Sequence, residues 1–252
     1  MLTGIVLTKN EEKNIGECLK TLVFCNEVIV VDDYSQDKTI QIAQEMGVKV
    51  SQRGLNQDFA AQRNFALDKA KGDWILFIDA DERVTPKLKE EIQSVIKNPK
   101  FIGYYLKRQD VLFGKKLEFG ETANVELLRL ARRGSGKWER RVHEVWQVEG
   151  KVGELAAPLV HYPHQAISEF LNAINFYSTL HAWALFEERK KSGTFKIICY
   201  PLGKFIYNYL IRFGFLDRMP GLIVALMMSL HSFLSWAKLF LLWKKGPLEY
   251  QR

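Results

Sequence analysis

The stretch WILFIDADE, Trp74–Glu82, runs five apolar residues without a break into Asp79, Asp81 and Glu82. A strand this continuously apolar is covered on both faces, which is the habit of parallel sheets flanked by helices. The preceding residues repeat the pattern. Leu2–Thr8 and Val28–Val31 read as buried strands and Val48–Ser51 as a third short one. Between them lie helical spacings at about Glu11–Val23, Lys38–Met46 and Asp58–Lys71, and Thr85–Pro86 opens a further helix to Lys97. Strands alternating with helices predict an α/β fold with a mixed, mainly parallel sheet and helices on both faces. In such sheets ligands sit beyond the carboxyl ends of the strands.

Further along, the period changes. Gly103–Lys107, Val125–Leu130, Val142–Val148 and Leu155–His161 read as strands that extend the sheet in antiparallel or mixed fashion. Beyond Ala166 the strand signals give way to long helices at about Ile167–Lys191, Phe195–Phe213 and Pro220–Trp243. This divides the chain into a sheet domain over residues 1–165 and a helical region over 166–252.

The acids stand where ligands are expected. Asp32 and Asp33 follow the second strand, in VIVVDDYSQDKT, and Asp79 and Asp81 follow the fourth. Alternation along extended backbone points Asp79 and Asp81 to one side. Paired carboxylates at a strand end suit a hard divalent cation, Mn²⁺ or Mg²⁺, whose other positions are filled by phosphate and water. Asp37, near the start of the second helix, suits a cap or turn residue instead. There is no G-x-x-x-x-G-K-[ST] motif, nor a G-x-G-x-x-G after the first strand. Metal rather than a glycine loop would therefore hold phosphates.

The 252 residues carry a net charge of +7, unevenly spread. Arg189–Arg252 holds 11 Lys and Arg against Asp217 and Glu249 alone, and the remaining residues are nearly balanced. Because these cations are interleaved with aliphatic bulk, they suit an anionic membrane surface and not nucleic acid. Met219–Ala237 is free of charged residues for 19 positions, near the length of a membrane span. It also contains Pro220, Gly221, Ser229, His231, Ser232 and Ser235. Two or three helices lying on the cytoplasmic leaflet are the reading that follows, the alternatives being a helical subdomain packed on the sheet and a true transmembrane helix. Three scattered cysteines (Cys18, Cys25, Cys199) provide no disulfide framework, and MLTGIVLTKNEE does not read as a signal peptide. The expected location is the cytoplasmic face of the inner membrane, held peripherally.

LTGIVLTKNEEKNI, EVIVVDDYSQDKT, FAAQRNFAL and DWILFIDADE, in this order and spacing, resemble the nucleotide-diphospho-sugar transferases of glycosyltransferase family 2, whose fold is termed GT-A. The resemblance covers about residues 2–165. The VHE at Val142–Glu144 and the basic, apolar tail are similar to the small bacterial glucosyl- and heptosyl-type transferases of lipopolysaccharide core and related surface glycans.

The resemblance implies a metal-dependent, inverting transfer of a hexose or heptose from a nucleotide-sugar, with UDP expected, to a lipid-linked saccharide. It also implies roles by position. Thr8, Asn10 and Glu11 would line the uridine pocket, one or both of Asp32 and Asp33 would contact uracil or ribose, and Arg63 would approach the nucleotide. Asp79 and Asp81 would form the D-x-D that reaches the diphosphate through the metal. Family 2 members often carry an aspartate base after that motif, but no ED pair occurs between residues 100 and 150. Glu144 is the first candidate base and Glu121 the second.

Several roles stay open. His143 and His161 are each a third metal ligand, a phosphate contact or a hydrogen-bonded core residue. Arg140 and Arg141 meet an anionic acceptor or form a solvated face, and Trp138 and Trp146 stack on sugar or pack in the core. A polyprenyl-phosphate acceptor, already ionised, would need no base. A non-catalytic membrane scaffold on the same fold would need no paired carboxylates.

Overall fold

The computed structural model describes residues 1–56, 58–123, 125–141 and 144–246. The chain divides into two compact units: Met1–Gln109 with Asn124–Tyr162, and Asp110–Ala123 with Pro163–Arg252. The excursion Asp110–Ala123 thus groups with the helices, whereas the sequence reading placed everything before residue 166 in one domain.

In the first unit, β1 (Leu2–Thr8), β2 (Glu27–Asp32), β3 (Lys49–Gln52) and β4 (Trp74–Asp79) form the parallel part of the sheet, in the order β3-β2-β1-β4. The sheet continues through β8 (Val125–Arg132), β6 (Gly103–Leu112), β11 (Val152–His161) and β5 (Glu82–Val84). Here β8 is antiparallel to both β4 and β6, and β11 is antiparallel to β5. Helices α1 (Ile15–Thr21), α2 (Thr39–Glu45), α3 (Phe59–Lys69) and α4 (Pro86–Lys97) connect the strands. A detached hairpin, β9 (Gly136–Glu139) with β10 (Val145–Val148), pairs Trp138 with Trp146. The expected strand over 142–148 is seen from Val145; Val142 and His143 lie outside the described residues.

Two apolar layers hold this sheet. On one face Val6, Ile15, Leu19, Val30, Leu76, Leu88, Ile92 and Leu106 pack together. On the other, Ile5, Ile29, Val31, Ala66, Ile75 and Phe77 meet Trp138 and Trp146. Neighbouring strand residues fall into opposite layers, as a period of two demands. The unbroken run Ile75–Ile78 is completely buried for this reason. The helix starts obey simple capping chemistry: Asp58 accepts from Ala61 N at 2.8 Å, and Thr85 accepts from Leu88 N at 3.2 Å ahead of Pro86.

The second unit is helical: α5 (Ile167–Glu187), α6 (Thr194–Ile206) running into a π-turn (Tyr207–Ile211), a 3-10 turn (Gly214–Asp217) and α7 (Arg218–Lys245). The short β7 (Lys115–Lys116) folds back on Val111 and Leu112. Leu112, Leu117, Phe170, Ile174 and Val224 form its core, with Ala182, Leu239 and Leu242 a second cluster. The 3-10 turn and α7 approach so closely that a side chain at Gly221 would stand 1.9 Å from the Gly214 carbonyl oxygen. The segment Gly214–Lys245 is the one helical stretch among the described residues that is long and apolar enough to cross a membrane.

Candidate active site

The site is built at the end of β4. Asp79 is the last residue of that strand, and β8 runs antiparallel beside it with Leu76 opposite Leu130. Arg129, on β8, therefore projects from the same face as Phe77 and Asp79. Its Nη2 donates to Asp79 Oδ2 and, at 3.3 Å, to Glu82 Oε1. Arg63 arrives from α3 by another route. Its guanidinium lies over the rings of Trp138 (4.6 Å) and Phe77 (5.5 Å), which fixes its plane. From there Nη2 donates to Asp79 Oδ1 at 3.1 Å and Nε to Glu144 Oε1 at 3.0 Å.

These are buried groups. The Arg63 and Arg129 side chains are each 5% exposed and Glu82 is fully buried. Burial alone would raise the Asp79 carboxyl, but Arg129 and then Arg63 outweigh it and hold Asp79 well below the usual carboxylate range. Glu82 moves the other way. Burial pushes its carboxyl up and the adjacent Asp79 charge adds to the rise, against the pull of Arg129. Glu82 Oε2 also accepts the Asp79 backbone N–H at 2.8 Å, so it fixes the strand end that presents the D-x-D.

Asp81 faces elsewhere, toward β11. The antiparallel register sets His161 opposite Glu82, and Tyr162 N donates to the Asp81 carbonyl at 2.9 Å. The His161 Nε2 and Asp81 Oδ2 then lie 3.1 Å apart. Among the described residues no group of three His, Cys, Asp or Glu side chains is placed to hold a metal, so Asp79, Asp81 and His161 do not form one three-ligand set. Asp81 and His161 do converge. One carboxylate oxygen and one imidazole nitrogen at that separation fit a divalent ion such as Mn²⁺ that takes its remaining ligands from phosphate and water.

The nucleotide-side candidates gather at the ends of β1 and β2. Thr8 is buried, and its hydroxyl has no partner among the described residues. Asn10 adopts a left-handed φ of 53°, donates its N–H to Ser35 Oγ at 2.8 Å and accepts from Gln36 N at 2.8 Å. Glu11 donates its N–H to Thr39 Oγ1 at 2.7 Å and accepts from Asn14 Nδ2 at 2.8 Å. The two adjacent aspartates part company. Asp32 is fully buried and accepts from Ser35 N at 2.9 Å, from Ser35 Oγ and from Gln52 Nε2 at 3.3 Å, so it ties the following turn together. Asp33 accepts from Leu55 N at 2.8 Å and from the exposed Lys9 ammonium at 2.7 Å.

Other candidates fall outside this cluster. Glu121 belongs to the second unit, where Lys204 pairs with it. His143 lies outside the described residues. Trp138 and Trp146 are core residues, stacked on each other with centroids 5.4 Å apart and edge-on to Phe77. Arg140 and Arg141 are exposed, and Arg141 sits 3.6 Å from Asp58. Sequence reasoning missed Arg129. Its signal was a lone charge within the apolar run Leu127–Ala131, which a buried strand keeps only when the charge has a partner.

Comparisons with known proteins show the family and the fold. Residues 3–140 match the family model described as glycosyl transferase family 2. The chain is 29% identical over 249 residues to the lipopolysaccharide core biosynthesis glycosyltransferase LpsC of Rhizobium meliloti, covering 95% of this chain and 92% of that protein. It is 26% identical over 252 residues to a glycosyltransferase of Rickettsia typhi, covering 94% and 86%. Among solved structures, S. aureus TarS 1-349 in complex with UDP-GlcNAc superposes with a TM-score of 0.50 at 16% identity, over 97% of this chain and 92% of that one, and shares its fold. With the family model spanning more than half of its residues, the chain belongs to glycosyl transferase family 2.

Proposed function

We propose that the protein transfers a hexose or heptose from a UDP-sugar to a lipid-linked saccharide of the lipopolysaccharide-core type, with inversion at the anomeric carbon. The observation that carries this reading is the single guanidinium of Arg63, which joins Glu144 to Asp79 at the strand end. The pairing of Glu144 with Arg63 uses Oε1 and leaves Oε2 to take a proton. As the acceptor oxygen attacks the anomeric carbon, the bond from that carbon to the leaving phosphate breaks, UDP departs and the hydroxyl proton passes to Glu144. Such general base assistance contributes about 10²–10⁴-fold.

Asp81 and His161 would hold the divalent metal, Mn²⁺ or Mg²⁺. When bound it supplies Lewis-acid stabilisation of charge on the leaving diphosphate. Asp79, with both oxygens engaged by arginines, orients Arg63 and Arg129 toward the same region. Thr8, Asn10, Glu11 and Asp33 are the residues for uridine, and Asp32 shapes the turn that carries Asp33.

The second unit supplies the membrane contact, on the cytoplasmic leaflet. From Arg189 to Leu216 there are six Lys and Arg and no acid. Phe195, Ile198, Leu202 and Leu210 are all more than half exposed along one side of α6 and the π-turn, and Phe213 just beyond it is exposed as well. A contiguous apolar patch ringed by cations suits an anionic lipid surface. Kinship with a lipopolysaccharide core transferase supports the same acceptor class.

The test is calorimetric binding of UDP to wild type and Asp81→Asn, with Mn²⁺ and with EDTA. Metal-dependent binding lost in the variant supports the donor site. No UDP binding by wild type in Mn²⁺ would overturn it.

A further inference from the structure

Within the second unit, the loop Glu118–Thr122 is held unusually firmly for a loop. Glu118 N and Phe119 N both donate to the buried Asp217 carboxylate, at 3.0 and 2.9 Å. Gly120 takes a left-handed φ of 77° and donates its N–H to the Arg212 carbonyl at 2.9 Å. Glu121 then pairs with Lys204. Lys204 and Asn208 stand four residues apart, on the stripe of α6 and the π-turn opposite the exposed apolar one. The Cβ position of Gly120 is 4.0 Å from the Asn208 carbonyl oxygen, and that of Gly214 is 2.6 Å from it, so loop and 3-10 turn both lie against this residue's backbone.

What lies there is polar and unsatisfied. Asn208 is 2% exposed, and neither its amide nitrogen nor its amide oxygen has a partner among the described residues. Glu121 Oε1 and Thr122 Oγ1 are likewise buried and unpartnered. Buried polar groups in native proteins are nearly always hydrogen-bonded, and an amide with both ends empty is a rare exception. A π-turn inside a helix is a further mark of functional sites.

The chemistry of the set selects the ligand. Asn208 supplies a donor and an acceptor, Thr122 can do either, and Glu121 only accepts. A phosphate would meet the Glu121 carboxylate, and a cation would meet the Lys204 ammonium. Sugar hydroxyls, each able to donate and accept, answer every member. We infer that Glu121, Thr122 and Asn208 form a saccharide subsite in the helical unit, which engages vicinal hydroxyls of the acceptor. This rests on the transferase reading above, because a saccharide acceptor is what that reading provides.

The experiment titrates the full-length protein with a deacylated lipopolysaccharide-core oligosaccharide and, separately, with UDP and Mn²⁺. Wild type, Asn208→Leu and Thr122→Val are compared. Oligosaccharide binding is expected to weaken tenfold or more in each variant while UDP binding changes less than twofold. Hydrogen exchange on wild type gives a readout independent of any variant. Amides 118–122 and 206–214 should slow on adding the oligosaccharide. Unchanged exchange there, or full oligosaccharide binding by a folded Asn208→Leu, would overturn the subsite and leave Asn208 a structural, water-bonded group. If wild type binds UDP but not the oligosaccharide, the subsite fails alone. If it binds no UDP, the transferase reading fails.

Discussion

Arg63 Nε lies 3.0 Å from Glu144 Oε1, across 81 residues of sequence, while the same guanidinium holds Asp79 Oδ1 at 3.1 Å. One planar group thus sets the distance between the candidate base and the D-x-D, and stacking on Trp138 sets its plane. The ammonium of lysine is a point charge on a flexible stem and offers no such fork. Arg63→Lys should keep one carboxylate contact and lose the other. A hydrogen bond to a charged group is worth about 1.5–3 kcal/mol, so kcat/KM for transfer should fall roughly 10- to 150-fold. Steady-state kinetics of the variant check this; a loss below threefold would show that the bridge does not position the base.

Glu144→Gln keeps an oxygen for Arg63 Nε and removes the ability to accept a proton. UDP binding should be unaffected and the melting temperature nearly so, while kcat should fall about 10²–10⁴-fold. An active Glu144→Gln enzyme would point to an acceptor that is already ionised.

The alternation of buried strands and helices was legible because it rests on a local period, and every strand of the parallel half was expected within two residues of its place. The D-x-D was legible for the same reason, as acids ending an apolar run. Other things were not. Of the adjacent Asp32 and Asp33, alternation says that one points inward and one outward but not which, and the fully buried residue is Asp32. The three-residue β5 and the hairpin strand β9 are too short to carry a period. The pairing of Arg129 with Asp79 depends on which strand lies beside β4, a long-range fact that no local pattern contains.

Asp79, its side chain 31% exposed, and the fully buried Glu82 make a prediction about acid stability. Asp79 is depressed in the folded state, chiefly by Arg129 and Arg63 against its burial. It therefore contributes stability that is present above its unfolded value of about 3.9 and is lost as pH falls below that. Glu82 is raised, by burial first. Its folded form holds a proton that the unfolded chain has released, so stability declines as pH rises above about 4.3 toward the folded value. Stability from this pair should peak near pH 4. In urea midpoints measured from pH 3 to 7, Glu82→Gln should flatten the upper limb and Asp79→Asn the lower one. Asp79→Asn should also cost about 1–3 kcal/mol at pH 7, because Arg63 and Arg129 each lose one carboxylate while keeping Glu144 and Glu82. Two limbs unaltered by either change would remove the pair as their source.

The acid-free stretch Arg189–Leu216 predicts a salt-sensitive attachment to anionic bilayers. Each Lys or Arg near such a surface contributes about 1 kcal/mol, and the contribution decays within a Debye length. The charge part can be separated from the apolar part. Lys191→Gln with Lys196→Gln should lower binding to phosphatidylserine vesicles roughly 30-fold at low salt and much less at high salt. Ile198→Asp with Leu202→Asp acts on two side chains that are 61% and 58% exposed, so little folded-state packing is lost. That variant should lose binding at every salt concentration, because burial of apolar surface and repulsion by anionic lipid both turn against it. Sedimentation with vesicles of graded anionic lipid content checks both variants. If α7 instead crossed the bilayer, the purified protein would be released only by detergent, and neither double variant would change its partition.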